Sequence, residues 1–334
     1  MSRIAGVLIL LVVLYAALYQ SNPNAFGKSN LIDLSNQQGF YGVMTLGAAL
    51  LIITGGIDLS IGSVVGLSVV LFGVLMEEGY HPYVAAMCVL GVGAVVGTIH
   101  GILVTQLKLQ SFLVTLCGMF IYRGIARQLT KSTVGLQRVK EAYPDATGPL
   151  DTMRYFLVGK DGDGALVFPA QLGVLIVLTL IVAVVLHKSV YGRYWYAIGY
   201  NEQAARYAGL AVDRHRIIVY VISSTLASFA GILYLLDYGS AMPESAGNSY
   251  ELYAITGAVL GGCSLRGGEG TAIGIALGAA VLPLLYNLVI FLKIRDAVVP
   301  SIIGMTLLIG VIVDEQIRNG PGVMRLLRKY LRSS

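Results

Sequence analysis

The chain has 334 residues, of which 56% are hydrophobic and 12% charged, and its mean hydropathy is +0.76. A soluble domain runs at roughly 45–50% apolar and about 25% charged, so this composition excludes a soluble enzyme or a nucleic-acid-binding domain and describes an integral membrane protein. The net charge of +5 needs no nucleic acid, because the basic residues fall mostly where membrane topology places them.

Uncharged runs long enough to cross a bilayer of about 30 Å lie near residues 4–20, 36–54, 59–76, 83–106, 165–186, 217–236, 270–292 and 297–313. Two harder runs bring the expectation to about ten spans by the same length criterion. One is 109–130, which carries Arg123 and Arg127, and the other is 252–265, short and containing Gly257, Gly261 and Gly262. The first run follows Arg3 and could be a signal peptide, but it exceeds the usual apolar core and the following "LYQSNPN" has no small-x-small cleavage site, so it is taken as a retained helix.

With both termini cytoplasmic, the internal loops hold Lys108, Lys188, Arg193, Arg206, Arg214, Arg216 and Arg266 along with Arg3 and the tail "RLLRKYLR". Most of the remaining basic residues share one long external loop, where charge constrains orientation less. The whole chain, 1–334, is read as a single transmembrane domain with an extracytoplasmic loop 131–169, a cytoplasmic loop 188–215 and a basic tail 314–334 suited to anionic lipid.

Cys88, Cys117 and Cys263 fall in apolar spans without ligand spacing and read as packing residues. His81, His187 and His215 sit at span ends, His100 lies within one, and none suggests a metal site. The stretch "AFGKS" resembles the end of a phosphate-binding loop, but Asn22 stands where the pattern needs glycine. No nucleophile elbow, zinc-protease motif or paired-cysteine motif occurs, and no catalytic residue is assigned.

Transport remains. "TGGIDLSIGS" and "LGGCSLRGGEGTAIG" both contain GGxxLxxG, formed by Gly55, Gly56, Leu59 and Gly62 in one and by Gly261, Gly262, Leu265 and Gly268 in the other. Such glycines allow close helix packing or a helix break lining a polar path. The candidates for the path or a helix break are Gly55, Gly56, Asp58, Ser60, Gly261, Gly262, Ser264 and Gly268. Asp58 fits two readings, a path residue at membrane depth or a cap for the helix that begins near Leu59.

Between spans six and seven, "YAIGYNEQAARYAGLAV" is polar. Asn201 suits an N-cap, Glu202 the first turn and Gly209 the stop, so a helix of about two turns is expected over 202–208. Ala204, Ala205 and Ala208 give it a small side, while Glu202, Gln203 and Arg206 offer polar contacts. A lipid-surface helix would present more large apolar residues than Tyr207 and Leu210, so docking to a cytoplasmic partner is the better fit.

These stretches, together with "GRYW", "IVYVISSTLASFAGILYL" and "ELYAITGAVLGG", resemble permease subunits of bacterial ABC importers for monosaccharides, over about residues 36–313 and in order. The resemblance implies an all-α polytopic bundle of the vitamin B12-importer type, dimeric with itself or a similar permease, in the bacterial inner membrane. It also implies a separate ABC ATPase that binds ATP and Mg, so that this chain needs no cofactor, and a periplasmic sugar-binding protein. Asn201, Glu202, Ala204, Ala205, Arg206 and Gly209 correspond to the coupling helix that meets the ATPase.

Ala208 stands where family members often have serine, and the loop 131–169, with "KDGDG", exceeds that of typical relatives; its mixed charges suggest a solvated loop. Asp237, Glu244 and Glu251 are expected near the outer mouth. Two rivals stand beside this reading: an ABC permease for another solute, such as a branched-chain amino acid or nucleoside, and a proton-coupled carrier using Asp58. The sugar is not readable, since the 20 tyrosines form no pocket pattern in sequence.

Overall fold

The computed structural model describes residues 2–21 and 23–295, then residues 298, 301, 302, 304–306, 308 and 312. The expected span 297–313 is therefore covered only in part, and the tail 314–334 lies outside the described residues. Hydrocarbon offers no partner to a backbone N–H, so the apolar runs take the one form that satisfies it internally.

The helices are α1 (Ser2–Ser21), α2 (Lys28–Ile53), α3 (Ile61–Glu77), α4 (Pro82–Thr105), α5 (Ser111–Leu129), α6 (Leu136–Ala142), α7 (Pro144–Val158), α8 (Ala170–Lys188), α9 (Val190–Tyr200), α10 (Glu202–Tyr207), α11 (Val212–Tyr238), α12 (Tyr250–Leu260), α13 (Ala272–Ala279) and α14 (Val281–Phe291). Two short strands, β1 (Val134–Gly135) and β2 (Ser240–Ala241), pair antiparallel. Pro82–Thr105, Ala170–Lys188, Val212–Tyr238 and Ala272–Phe291 are each long and apolar enough to cross a membrane. Val95 and Ile99 on α4, Phe120 on α5, and Ile176, Leu180 and Val184 on α8 are exposed, the inverse of a soluble surface and the expected face toward lipid.

The last of those crossings is divided at Ala280, where the N–H bonds Leu277 in a tighter turn. Pro283 explains the interruption, since its ring displaces the carbonyl of Ala279 four residues earlier. Helix α1 packs Leu14 and Leu18 against Val281 and Leu284 of this element.

The tightest seam joins α4 to α11. Gly93, Gly97 and Gly101 recur every four residues, and a Cβ at each would meet the α11 side at 2.3 Å (Ser228 Oγ), 2.5 Å (Tyr220 O) and 2.8 Å (Ile217 Cα). In lipid, where burial between helices drives nothing, such backbone approach is what holds helices together. Behind α2, Gly39 performs the same service against the Gln171 backbone of α8.

Two of the expected spans are only partly helical. The expected run 252–265 is helical only over Tyr250–Leu260, about 16 Å long and half a bilayer. The missing half is the turn-rich segment 242–249, which descends along α3: a Cβ at Gly66 would lie 2.5 Å from Ala246 O and one at Gly62 would lie 2.4 Å from Gly247 O. Between α2 and α3, residues 54–60 are likewise non-helical, with Asp58 and Ser60 buried.

The loop 131–169 is folded rather than simply solvated. It contains α6 and α7, and Leu136, Val139, Leu150 and Met153 join the main core. Lys160 pairs with Asp237 at 2.7 Å, while Asp161 closes the "KDGDG" turn by accepting from Ala165 N at 2.8 Å. The cysteines are placed less uniformly than expected: Cys263 is buried in the turn after α12, whereas Cys88 and Cys117 lie on exposed helix faces.

A prediction follows from the α4–α11 seam. Gly97→Leu should sharply lower the thermal midpoint and yield of the detergent-purified chain, because backbone cannot move aside for the added atoms. Gly91→Leu on the same helix, where a Cβ meets nothing within 4 Å, should melt like wild type. Equal melting of the two variants in a fluorescence thermal scan would remove the seam from the account.

Candidate functional site

The polar insert forms its helix as the local chemistry requires. Asn201 Oδ1 accepts from Ala204 N at 3.0 Å, and Gly209 takes the left-handed stop at φ +82. Glu202 accepts from Arg206 at 3.0 Å and pairs with Arg216 of α11 at 2.8 Å. Arg206 also donates to Asp213, so α10 is tied to the start of α11 through both arginines. Hydrogen bonds donated to Asp213 first and Glu202 second hold the Arg206 guanidinium above its ordinary pKa range.

One expected contact residue faces the wrong way. Ala205, placed with the partner-facing set, is 4% exposed and packs with Ile198 and Val212. At 100° per residue it points opposite to Gln203 and Tyr207, and these form the outward face with Ala204. Tyr207 is 90% exposed and Tyr200, at the end of α9, 80% exposed. Tyr200 lay outside the residues singled out from sequence, since at the end of a buried-looking aromatic run nothing marks it as surface.

Beneath this face three chain segments meet through backbone. Gly268 N donates to Ile53 O at 2.8 Å. A Cβ on Gly199, in the last turn of α9, would fall 1.8 Å from that same Ile53 oxygen and 2.4 Å from Gly268 N. A Cβ on Gly267 would lie 3.0 Å from Gly55 Cα, and at Gly268, with φ +75, one would lie 2.9 Å from Tyr200 Cα. Both GGxxLxxG stretches thus converge on the base of α10. Gly261 serves the α12–α13 hairpin, its Cβ position 2.4 Å from Gly274 O, and the turn closes through Ser264 N to Glu269 O at 3.2 Å. Gly262 takes a left-handed turn at φ +93. Gly56 makes no backbone approach, its nearest neighbour being the Leu51 side chain at 3.1 Å.

From this junction residues 54–60 climb into the bundle as non-helical chain, and α5 supplies their missing hydrogen bonds. Ser111 Oγ accepts from Ile57 N at 3.1 Å and donates to Ile57 O at 2.8 Å, while Thr115 Oγ1 accepts from Leu59 N at 3.1 Å. Ser111 and Thr115 were not selected from sequence, although two hydroxyls four apart at the start of an apolar helix were the available signal. Non-helical backbone at membrane depth persists only with such partners.

The segment delivers Asp58 to a buried polar cluster. Asp58 is 2% exposed, and its Oδ1 accepts from Ser60 N at 2.7 Å and Ser60 Oγ at 2.6 Å. It does not cap α3 in the ordinary sense, because Ser60 itself occupies the N-cap. One turn on, the Cβ position of Gly62 lies 2.1 Å from Glu251 Oε2, in the first turn of α12. Glu251, expected near an outer mouth, is instead 7% exposed, with Arg123 of α5 at 3.7 Å. His100 Nε2 and Tyr122 Oη share a hydrogen bond of 2.9 Å nearby. Two antiparallel helices therefore begin at the same depth, each with a carboxylate at its positive end.

Asp58 Oδ2, Glu251 Oε2, His100 Nδ1 and Arg123 Nε are buried without a hydrogen-bond partner in the protein, so this cluster keeps hydrogen-bonding capacity that side chains and backbone do not fill. At the α10 end, a cavity of about 750 Å³ runs from Gln203 and Arg206 to Gly55, Ile57 and Ser111. It joins the exposed helix to the first break. Among the described residues no group of three or more His, Cys, Asp and Glu is placed to hold a metal ion.

Comparison with known proteins adds a family to this geometry. Residues 30–312 match the family described as branched-chain amino acid transport system / permease component. The chain is 33% identical to the ribose import permease protein of Escherichia coli K12 over 92% of both chains. It is 35% identical to a probable ABC transporter permease protein of Sinorhizobium fredii, over 93% of this chain and 88% of that one. It is 32% identical to the autoinducer 2 import system permease protein of an Enterobacter species, over 96% and 89%. No solved structure matches the chain.

The Asp58 turn yields a second prediction. Asp58→Asn keeps the acceptor for Ser60 and should leave the thermal midpoint of the purified chain nearly unchanged. Asp58→Ala strands the buried Ser60 N–H and hydroxyl and should cost about 1–3 kcal/mol per orphaned group. An alanine variant as stable as wild type in detergent melts would show that the turn does not depend on this carboxylate.

Proposed function

The chain belongs to the branched-chain amino acid transport system permease family, and from that premise we propose that it carries a monosaccharide across the membrane. It is the permease subunit of an ABC importer, a multi-pass protein of the inner membrane and not itself an ATPase. The observation that carries the choice of cargo is the match to ribose import permeases over nearly the full length of both chains. A second cargo, autoinducer 2, has the support of a relative named for its import. Family membership sets aside the proton-coupled carrier.

In this reading the α10 end is cytoplasmic and the α6–α7 end faces the sugar-binding protein. The described crossings, counted with 297–313, fit a ten-helix subunit of the vitamin B12-importer type, paired with a second permease. ATP and Mg belong to the partner ATPase. Asn201 and Gly209 fix the bounds of the coupling helix, and Gln203, Ala204, Tyr207 and Tyr200 present its docking face. Glu202 and Arg206 hold it to α11, with Ala205 packed behind. Nucleotide-driven closure of the ATPases displaces α10, and the contacts of Gly199 with Ile53 and Gly268 pass the displacement to both breaks. Gly55, Gly56, Asp58 and Ser60 line one side of the path and the turn Gly261, Gly262, Ser264 and Gly268 braces the other.

The exposed tyrosine gives a clean test. Arg206→Glu would repel Glu202 and Asp213 within its own chain, so its effect mixes local folding with docking. Tyr207→Ala removes only outward area, and as an interface anchor it should weaken co-purification with the ATPase about thirtyfold, the size of a hot-spot residue. Reconstituted vesicles containing ATPase and binding protein should take up D-ribose only with ATP, and the purified chain alone should hydrolyse none. Turnover by the chain alone, or full assembly and uptake by Tyr207→Ala, would contradict the arrangement.

A further inference from the structure

Six tyrosines outside the coupling and path residues converge on one cavity. It measures about 280 Å³ and lies between α2, α11, α12 and α14, walled by Tyr41, Tyr234, Tyr238, Tyr250, Tyr253 and Tyr286, with Gln37 at its edge and Leu282 and Val289 as apolar floor. It sits in the half of the bundle that carries the long loop, since Asn36, beside Gln37, donates to Val158 O at the end of α7.

Five of the six rings, all but Tyr286, form a connected aromatic layer. Tyr41 stands edge-on to Tyr253 at 5.5 Å, Tyr250 and Tyr253 lie 5.7 Å apart, and Tyr234 and Tyr238 are 4.6 Å apart. Behind it, Phe40 is fully buried and meets Tyr41 at 5.1 Å and Tyr250 at 5.6 Å. The inner layer is thus phenylalanine and the layer facing the cavity is tyrosine. Phenylalanine would pack as well there, and a phenol in apolar surroundings is costly unless its hydroxyl is used. An interfacial belt does not account for the set, because belt tyrosines point outward to the membrane boundary, whereas Tyr41, Tyr234, Tyr250 and Tyr253 are half-buried against one another and only Tyr238 and Tyr286, at the cavity's mouth, are exposed.

Resting on the sugar-import reading, we propose that this tyrosine-lined cavity is a transient binding station for the sugar inside the permease. The rings offer flat faces for the C–H side of a sugar ring, while the phenols and Gln37 meet its hydroxyls. No charged residue lines the cavity among the described residues, which suits a neutral polyol and leaves the two charges of a free amino acid without partners. Pockets for drug-sized ligands run from about 300 to 1,000 Å³, so this smaller space fits a single sugar ring. The station deepens the choice of cargo that relatives alone leave between classes.

The test uses the assembled transporter, permease with ATPase and binding protein, in vesicles with D-ribose as probe. The double variant Tyr238→Phe/Tyr286→Phe keeps every ring and removes two hydroxyls, and uptake should fall about fivefold for each hydroxyl lost, the worth of an ordinary hydrogen bond. Val289→Trp fills the floor and should abolish uptake while ATP hydrolysis and assembly persist. Uptake at the wild-type rate by the double Phe variant, whatever the Trp variant does, overturns the station and leaves the import reading standing. Wild-type vesicles that take up neither D-ribose nor another pentose overturn the import reading and the station together.

Discussion

The carbonyl of Ile53 is the point on which the rest of the architecture depends. It accepts from Gly268 N at 2.8 Å, and the absence of a side chain at Gly199 lets α9 lie directly against it. Three segments far apart in sequence meet there through main-chain atoms, in a place where a Cβ on Gly199 would separate them, and Tyr196 Oη donating to Gly270 O at 2.7 Å adds a side-chain tie beside it. Side chains can rearrange around a mutation or a neighbour, but backbone packed on backbone has no such freedom. The junction is accordingly a rigid link between the exposed α10 and the two non-helical passages that lead into the bundle.

A second constraint acts at depth. Non-helical backbone and carboxylates are both expensive inside a membrane, and here each is matched by a specific partner. Ser111 and Thr115 complete the hydrogen bonds of residues 57 and 59. The starts of α3 and α12 face Asp58 and Glu251 with their positive ends, and Arg123 stands beside Glu251. What is left over, one oxygen on each acid and one nitrogen each on His100 and Arg123, is polar capacity aimed at something other than the protein.

Much of the fold was legible because it follows from short-range chemistry. Uncharged runs mark the crossings, and Asn201 and Gly209 bound α10 within a residue of the structure. The glycine-rich breaks were visible as composition, but their meeting at Gly199 was not, since that depends on three segments more than sixty residues apart. The run 252–265 misled because apolar length says nothing of a turn-rich segment supplying half a crossing. Gly93, Gly97 and Gly101 did carry a readable four-residue period, which was overlooked beside the louder GGxxLxxG pattern. Ala205 shows the limit on a short helix: with small residues on several sides, composition cannot decide which side is buried.

The tyrosines make the same point about function. Each of the six lies on a helix where a lone tyrosine is ordinary, and only the packing of four helices turns them into a wall. Their placement relative to the junction also orders the molecule. The tyrosine cavity occupies the half nearer the long loop, the carboxylate cluster the middle, and the larger cavity the half beneath α10. The first offers aromatic faces and hydroxyls, the second unpaired charge and hydrogen-bonding atoms, the third a wide polar opening. The backbone junction at Ile53 ties the base of α10 to the segment that carries Asp58, so the lower two regions share one rigid support, while the tyrosine cavity is built separately on α2, α11, α12 and α14.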